Sequence, residues 1–160
     1  MSASQRPGPP PCCPACEQLA DIEAIKQLKA RYFRLMDTKN WAELADVFTA
    51  DAVVRGGDQQ IEGRAAIVEF VAATSDGVRS AHQGFLPEIK MVAAGQARGV
   101  WAMSDYFELR GTDPAVGFSG FGHYEDRYAR EDGTWRISFS RLTRIKVIPL
   151  PGGLPEFYRR

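Results

Sequence analysis

The sequence predicts an α+β fold, a cone-shaped α+β barrel in which three helices pack on a strongly curved, mostly antiparallel sheet. Three observations predict it. Apolar residues recur at three- and four-residue steps from Leu19 to Met36, which is helical spacing. After Gly77 the chain changes to long segments bounded by Gly, Pro or Asp: "RSAHQGFLPEIKMV", "QARGVWAMSDYFELR", "GFSGFGHYEDRYARE" and "TWRISFSRLTRIKVIPL". The turn "REDGTW" joins the last two as a hairpin. Helices first and a run of antiparallel strands afterwards is the α+β order.

Element by element, residues 1–16, "MSASQRPGPPPCCPAC", are rich in Pro, Gly and Ser and read as a disordered tail. The folded domain is expected over 17–150. Its first helix starts at Glu17 and carries Leu19, Ile22, Ile25, Leu28, Tyr32, Phe33, Leu35 and Met36. Lys26 and Lys29 fall within the same arc and are expected to snorkel to water. Asn40 opens a short second helix in "NWAELADVFTADAVV", followed by a strand near Ala52 to Arg55. "GGDQQIEG" reads as a turn, and "GRAAIVEFVAATS" as a third helix with Ile67, Phe70 and Val71 as its apolar stripe. Residues 151–160, "PGGLPEFYRR", form a C-terminal tail that is either frayed or a lid.

The chain of 160 residues suits one domain with a sizeable core. Lys+Arg equals Asp+Glu at 20 each, with no basic stripe, which argues against nucleic acid or an anionic membrane surface as partner. No apolar run approaches the roughly 20 residues of a membrane span. The N-terminus has no apolar signal region, so a cytoplasmic location is the expectation. Cys12, Cys13 and Cys16 all lie in the tail, the last two as C-x-x-C. A structural zinc site takes about four ligands, and only His82 and His123 are otherwise available, so no metal is expected. Incidental thiols are the simplest reading; metal binding, redox sensing or tail disulfides are the alternatives.

At about 100° per residue, Asp37 lies on the shoulder of the first helix's buried face, beside Phe33, with Tyr32 inside that face. A solvated last-turn carboxylate is the bland reading. His82 stands in the strand "SAHQG". Strand alternation puts Trp101, Met103 and Asp105 on one face, with Ala102, Ser104 and Tyr106 on the other. An Asp beside Trp and Met must be paired or line a cavity. Arg144 shares a face of the last strand with Ser140 and Leu142, opposite Arg141. Together these residues suit proton transfer without a metal: an imidazole base, a carboxylate that fixes its tautomer, and a phenol and guanidinium that polarise an oxygen.

The order "YFRLMD", "W", "SAHQGFLPEI", "ARGVWAMSDYF", "GFGHYEDRYAREDGTWRIS" and "RLTRI" resembles the SnoaL-like branch of the nuclear-transport-factor-2-like superfamily. More narrowly it is similar to the group holding scytalone dehydratase, bile-acid 7α-dehydratase and hexachlorocyclohexane dehydrochlorinase, over about residues 17–150. The resemblance implies a catalytic pair of His82 as general base and Asp37 as its partner, assisted by Tyr32, Asp105 and Arg144. Arg141 and Arg127 are alternatives to Arg144. Phe33, Trp101, Met103, Tyr106 and Phe121 are the expected substrate-pocket residues, and His123 is expected in a surface or core role. The implied activity is a cofactor-independent lyase, dehydratase-type or a related elimination, including loss of a formyl or hydroxymethyl carbon. Its substrate would be an apolar aromatic or polycyclic small molecule. The alternatives are an isomerase or polyketide-type cyclase on the same pair, and a non-catalytic binding or dioxygenase β-subunit-like domain. A homo-oligomer is implied, a trimer rather than a dimer.

Overall fold

The computed structural model describes residues 13–158. The expected tail therefore falls largely, through Cys12, outside the described residues, as do Arg159, Arg160 and the Phe157 side chain. The first helix, α1, runs Pro14–Thr38 and so begins three residues before its expected start. Pro14 has no N–H to satisfy at the first helical position, and Cys13 in extended backbone caps the next turn. Lys39 ends the helix in the left-handed region (φ 58). The backbone N–H groups of Lys39 and Asn40 then bond Met36 O and Leu35 O.

The helix α2 is Trp41–Ala45, opened as expected by Asn40, whose side chain accepts from Glu43 N and donates to Glu43 Oε1. The strand β1, Phe48–Gly56, then starts inside the stretch read as helix, and β2, Gln59–Glu62, forms in the stretch read as a turn. Only Gly57 and Asp58 turn, and the polar strand β2 pairs antiparallel with β1. The third helix, α3, is Arg64–Ser75, with Ile67 buried and Phe70 and Val71 half-buried.

Four long strands follow: β3 Val78–Ala93, β4 Gln96–Leu109, β5 Gly117–Glu131 and β6 Thr134–Pro149. Sheet order is β2-β1-β6-β5-β4-β3, antiparallel throughout except for β1 beside β6. The sheet is curved but open, because β2 and β3 are edges; the fold is a cup rather than a closed barrel. Register shifts in β3 and between β5 and β6 add residues to single strands and bend them.

One face of the sheet is buried and the other largely exposed, so the burial of β4 alternates from Gln96 to Asp105. The main core joins Ile25, Leu28, Leu35 and Met36 of α1 to Phe48, Ile67, Tyr128, Trp135 and Ile137. A second cluster, Phe33, Trp101, Met103 and Tyr124, packs beside it, with Phe33 as the contribution of α1. Leu19 is an exception to the predicted stripe: it is 66% exposed, because the early turns of α1 are largely exposed.

Lys29 is the largest departure from the helix reading. It does not snorkel but is completely buried, with Nζ 2.8 Å from Asp126 Oδ2 and 3.8 Å from the Tyr124 ring centroid. The sheet curves across the helix at this depth, beyond the reach of a lysine stem to water, and supplies the countercharge itself. Asp126 also accepts from Ser140 Oγ (2.7 Å) and Tyr128 Oη (2.8 Å), so both carboxylate oxygens are used. Burial pushes the Lys29 ammonium below its ordinary value against the opposing pull of Asp126.

Candidate active site

The last turn of α1 and the start of β3 bring Asp37 to His82. Asp37 Oδ1 lies 2.6 Å from His82 Nδ1, and Oδ2 accepts from the His82 backbone N–H at 2.8 Å. One carboxylate thus holds both the ring and the strand that carries it. Ser80, two residues earlier on the same face of β3, donates to Asp37 Oδ1 (3.0 Å), and Lys39 Nζ donates to Ser80 Oγ (2.9 Å). Half-burial would raise the Asp37 carboxyl, but the hydrogen bonds from the His82 ring and backbone outweigh it and hold the group below 3.8. An ionised Asp37 requires a proton on Nδ1, so in the neutral ring the lone pair is on Nε2. The His82 side chain is 4% exposed, and the Phe33 ring lies parallel to it at 6.4 Å. That packing needs Gly84 on the inner face of β3, where a Cβ would stand 2.5 Å from the Phe33 ring.

Asp105 is the register partner of His82 on β4, and Gly120 is its partner on β5. Across Gly120 comes Arg144 of β6, in a two-point pair: Nη1 to Oδ1 at 2.8 Å and Nη2 to Oδ2 at 2.6 Å. The absence of a side chain at Gly120 makes room for that pair, since a Cβ there would stand 1.9 Å from Nη1. Arg141 and Arg127 leave on the other face, beside Glu125 and Phe139. Partial burial opposes the Arg144 charge, and the Asp105 carboxylate more than restores it. Tyr32 faces Tyr124 and accepts from its hydroxyl; burial first, then the Asp126 charge, push the Tyr32 phenol well above its ordinary range. It is a donor, not a phenolate, at any ordinary pH.

A line of rings continues from His82: Phe107 edge-on at 5.2 Å, Phe118 stacked on Phe107 at 5.0 Å, and Tyr158 at 4.8 Å from Phe118. Tyr158 belongs to the tail, which turns back on β5. Leu150 N–H bonds Gly117 O, Gly117 N–H bonds Gly153 O, and Pro155 is buried. The Arg144 guanidinium sits 5.0 Å over the Phe118 ring.

Two expected pocket residues lie elsewhere. Tyr106 and Phe121 alternate out of register with Asp105 and Gly120, so both point to the distal face of the sheet. Tyr106 there bonds Glu108, and Phe121 is 42% exposed. His123 shares that distal face, half-buried. Trp101 and Met103 are on the inner face but under the site, with Trp101 Nε1 donating to Tyr128 Oη at 2.8 Å. The residues that the sequence reading passed over are Ser80, Phe107, Phe118 and Tyr124. Stepping by two from His82, Asp105 and Gly120 would have found all four; Tyr158 lies after the Pro/Gly hinge of the tail that the sequence left as either frayed or a lid. A separate cleft of about 930 Å³, with Arg55, Arg98, Arg127 and Arg141 around Phe139, opens on the distal face, away from His82. Among the described residues there is no cluster of His, Cys, Asp and Glu suited to a metal, and no helix is long and apolar enough to cross a membrane.

The profile of the SnoaL-like domain matches residues 17–141. A solved structure of the Mycobacterium tuberculosis protein Rv3472, of unknown function, is 30% identical, with a TM-score of 0.73 over 84% of this chain and 77% of that one. The hexachlorocyclohexane dehydrochlorinase LinA-type3 of Novosphingobium barchaimii is 21% identical, with a TM-score of 0.76 over 85% and 94%. A protein of Novosphingobium aromaticivorans assigned as a scytalone dehydratase is 20% identical, with a TM-score of 0.75 over 81% and 87%. The last two likenesses are of fold.

Proposed function

The chain belongs to the SnoaL-like domain family, and we propose that it is a cofactor-independent lyase eliminating a small molecule from an apolar aromatic or polycyclic substrate. One observation carries the reading. The Asp37 carboxylate grips the Nδ1 side of His82 at 2.6 Å and the strand backbone at 2.8 Å, so Nε2 is presented as a base in an aromatic-lined site.

In the reaction, Nε2 of His82 takes a proton from substrate carbon, the electrons of that bond form the new double bond, and the leaving group departs with its own bonding pair. The imidazolium forms against Asp37, whose charge stabilises it. Tyr32, kept protonated by burial, gives the leaving oxygen or halide a hydrogen bond and keeps its proton. Arg144, oriented by Asp105, faces the developing oxyanion of a carbonyl-bearing substrate. The imidazolium then returns its proton to the leaving group, which closes the cycle without net change in the protein. Phe33, Phe107 and Phe118 suit an apolar ring system, and the 151–158 segment acts as a lid with Tyr158 at its tip. The expected setting is the cytoplasm, and the expected assembly is a homotrimer, which light scattering on the purified protein reads directly.

The test begins with a thermal-shift screen over aromatic, steroidal and lignin-derived diols and ketones, because a specific ligand raises the melting temperature by mass action. Turnover of each hit is followed by product mass. Elimination loses a small molecule and continues in a chelator; His82→Ala and Asp37→Asn each abolish it while the melting transition stays cooperative. Near wild-type rates in either variant sink the assignment. A product of unchanged mass moves the reaction to isomerisation or cyclisation on the same pair.

A further inference from the structure

The thiols at the start of α1 are outside the proposed chemistry. Asp37 stands 24 residues further along the helix, roughly 36 Å away at about 1.5 Å per residue. The sequence "CPAC" puts Cys13 at the N-cap, Pro14 at the first helical position and Cys16 one turn in. That spacing turns both side chains to the same side of the helix end. Their sulfurs lie 2.9 Å apart, and the Cys16 backbone N–H donates to Cys13 Sγ at 3.3 Å. Both residues are exposed. Helix start and sheet are tied together next to them, since Asp21 accepts from Arg130 and from Trp135 Nε1. The pair is thus displayed on an anchored end.

We infer that Cys13 and Cys16 form a reversible dithiol/disulfide site, oxidised by low-molecular-weight disulfides of the glutathione type. Cys13 is the attacking sulfur. Hydrogen bonds from the Cys16 thiol and then from the Cys16 N–H hold its thiol below the ordinary value of 9.0. Its thiolate attacks one sulfur of the small disulfide, forming a mixed disulfide and expelling one small thiolate. Cys16, giving its proton to solvent, attacks Cys13 Sγ and expels the second small thiolate. Two protein thiols are oxidised by two electrons, and one small disulfide is reduced to two thiols. Only sulfur movement within one turn is needed, because the two atoms are already in contact. The site is a point of redox exchange or redox marking on this protein, and it is independent of whether His82 catalyses anything.

The experiment uses the full chain and its Cys12→Ser variant, in which only this pair of thiols remains. Each is equilibrated in glutathione buffers of graded ratio, quenched in acid, alkylated, and measured by intact mass and peptide mapping. The variant is expected to show two populations, doubly alkylated and unalkylated, interconverting with a two-electron midpoint and restored by reductant. In the wild-type chain the linked peptide is expected to contain a Cys13–Cys16 bond. Limiting iodoacetamide at neutral pH is expected to label Cys13 ahead of Cys16, because Cys13 is the thiol whose acidity its hydrogen bonds raise. Stable glutathione adducts on single cysteines in the variant overturn the proposal. So do thiols unmodified in the most oxidising buffer, a wild-type bond that maps to Cys12, or equal labelling of the two.

Discussion

Replacing Gly120 by Ala tests whether the inner face is built around the Asp105–Arg144 pair. The new Cβ would stand 1.9 Å from Arg144 Nη1 and 2.3 Å from Asp105 Oδ1, where ordinary contact begins at 3.4 Å. Each group must retreat by more than 1 Å, which takes the 2.6 and 2.8 Å bonds out of hydrogen-bond range. The two partners do not retreat equally. Arg144 is 19% exposed and can swing its guanidinium to water, whereas the Asp105 side chain is 1% exposed and has no such route. Gly120→Ala therefore leaves a buried carboxylate without its cation, a change that costs about 3–5 kcal/mol. For a chain of this length that lowers the melting temperature by about 6–20 °C. Adding Asp105→Asn removes the orphaned charge and brings the loss down to about 1–3 kcal/mol, that of an imperfectly satisfied polar group. Urea denaturation followed by tryptophan fluorescence, with calorimetry alongside, measures both. The reasoning fails if Gly120→Ala loses less than about 1 kcal/mol, or if the double variant is no more stable than the single one.

Other consequences are as specific. Asp37 has a folded-state pKa below 3.8, so the native state binds fewer protons there than the unfolded chain; its contribution is present above that value and is lost as pH falls through the folded pKa. The stability gap between wild type and Asp37→Asn is accordingly expected to shrink as pH is lowered from about 5 to about 2, and a constant gap would contradict it. Lys29→Met strands Asp126 in the core and is expected to cost about 3–5 kcal/mol, most of it recovered by adding Asp126→Leu; equilibrium unfolding reads both. Tyr158→Ala removes one ring contact at the end of the aromatic line, so KM is expected to rise about two- to tenfold with kcat unchanged in steady-state kinetics.

Much of the site was legible because strands and helices repeat with different periods. The wheel put Asp37 beside Phe33 on the shoulder of the buried face, where the structure places it against His82. Alternation put Asp105 with Trp101 and Met103, and Arg144 opposite Arg141, and the strands keep those faces. The same alternation, applied to the end, excludes Tyr106 and Phe121 from the inner face; their ring chemistry suited a pocket, but their parity did not. The strand β2 was hidden because "DQQIE" lacks the β-branched alternation of a half-buried strand and takes its conformation from pairing with β1. Lys29 was read as a surface cation because a helix wheel reports direction and not depth.

By itself, then, the sequence determined most of the elements and the face most side chains take, because these follow from local periods of 3.6 and 2 residues and from turn chemistry, while the order of its motifs carried the family resemblance. Only the tertiary structure decided what meets what. The register of β3 on β4 sets His82 across from Asp105, the missing side chain at Gly120 lets Arg144 reach Asp105 over an intervening strand, and the curvature of the sheet seals Lys29 against Asp126. These pairings join residues 23 to 97 positions apart. They depend on strand register, bend and depth, which are cooperative properties of the whole sheet rather than of any local stretch of the chain.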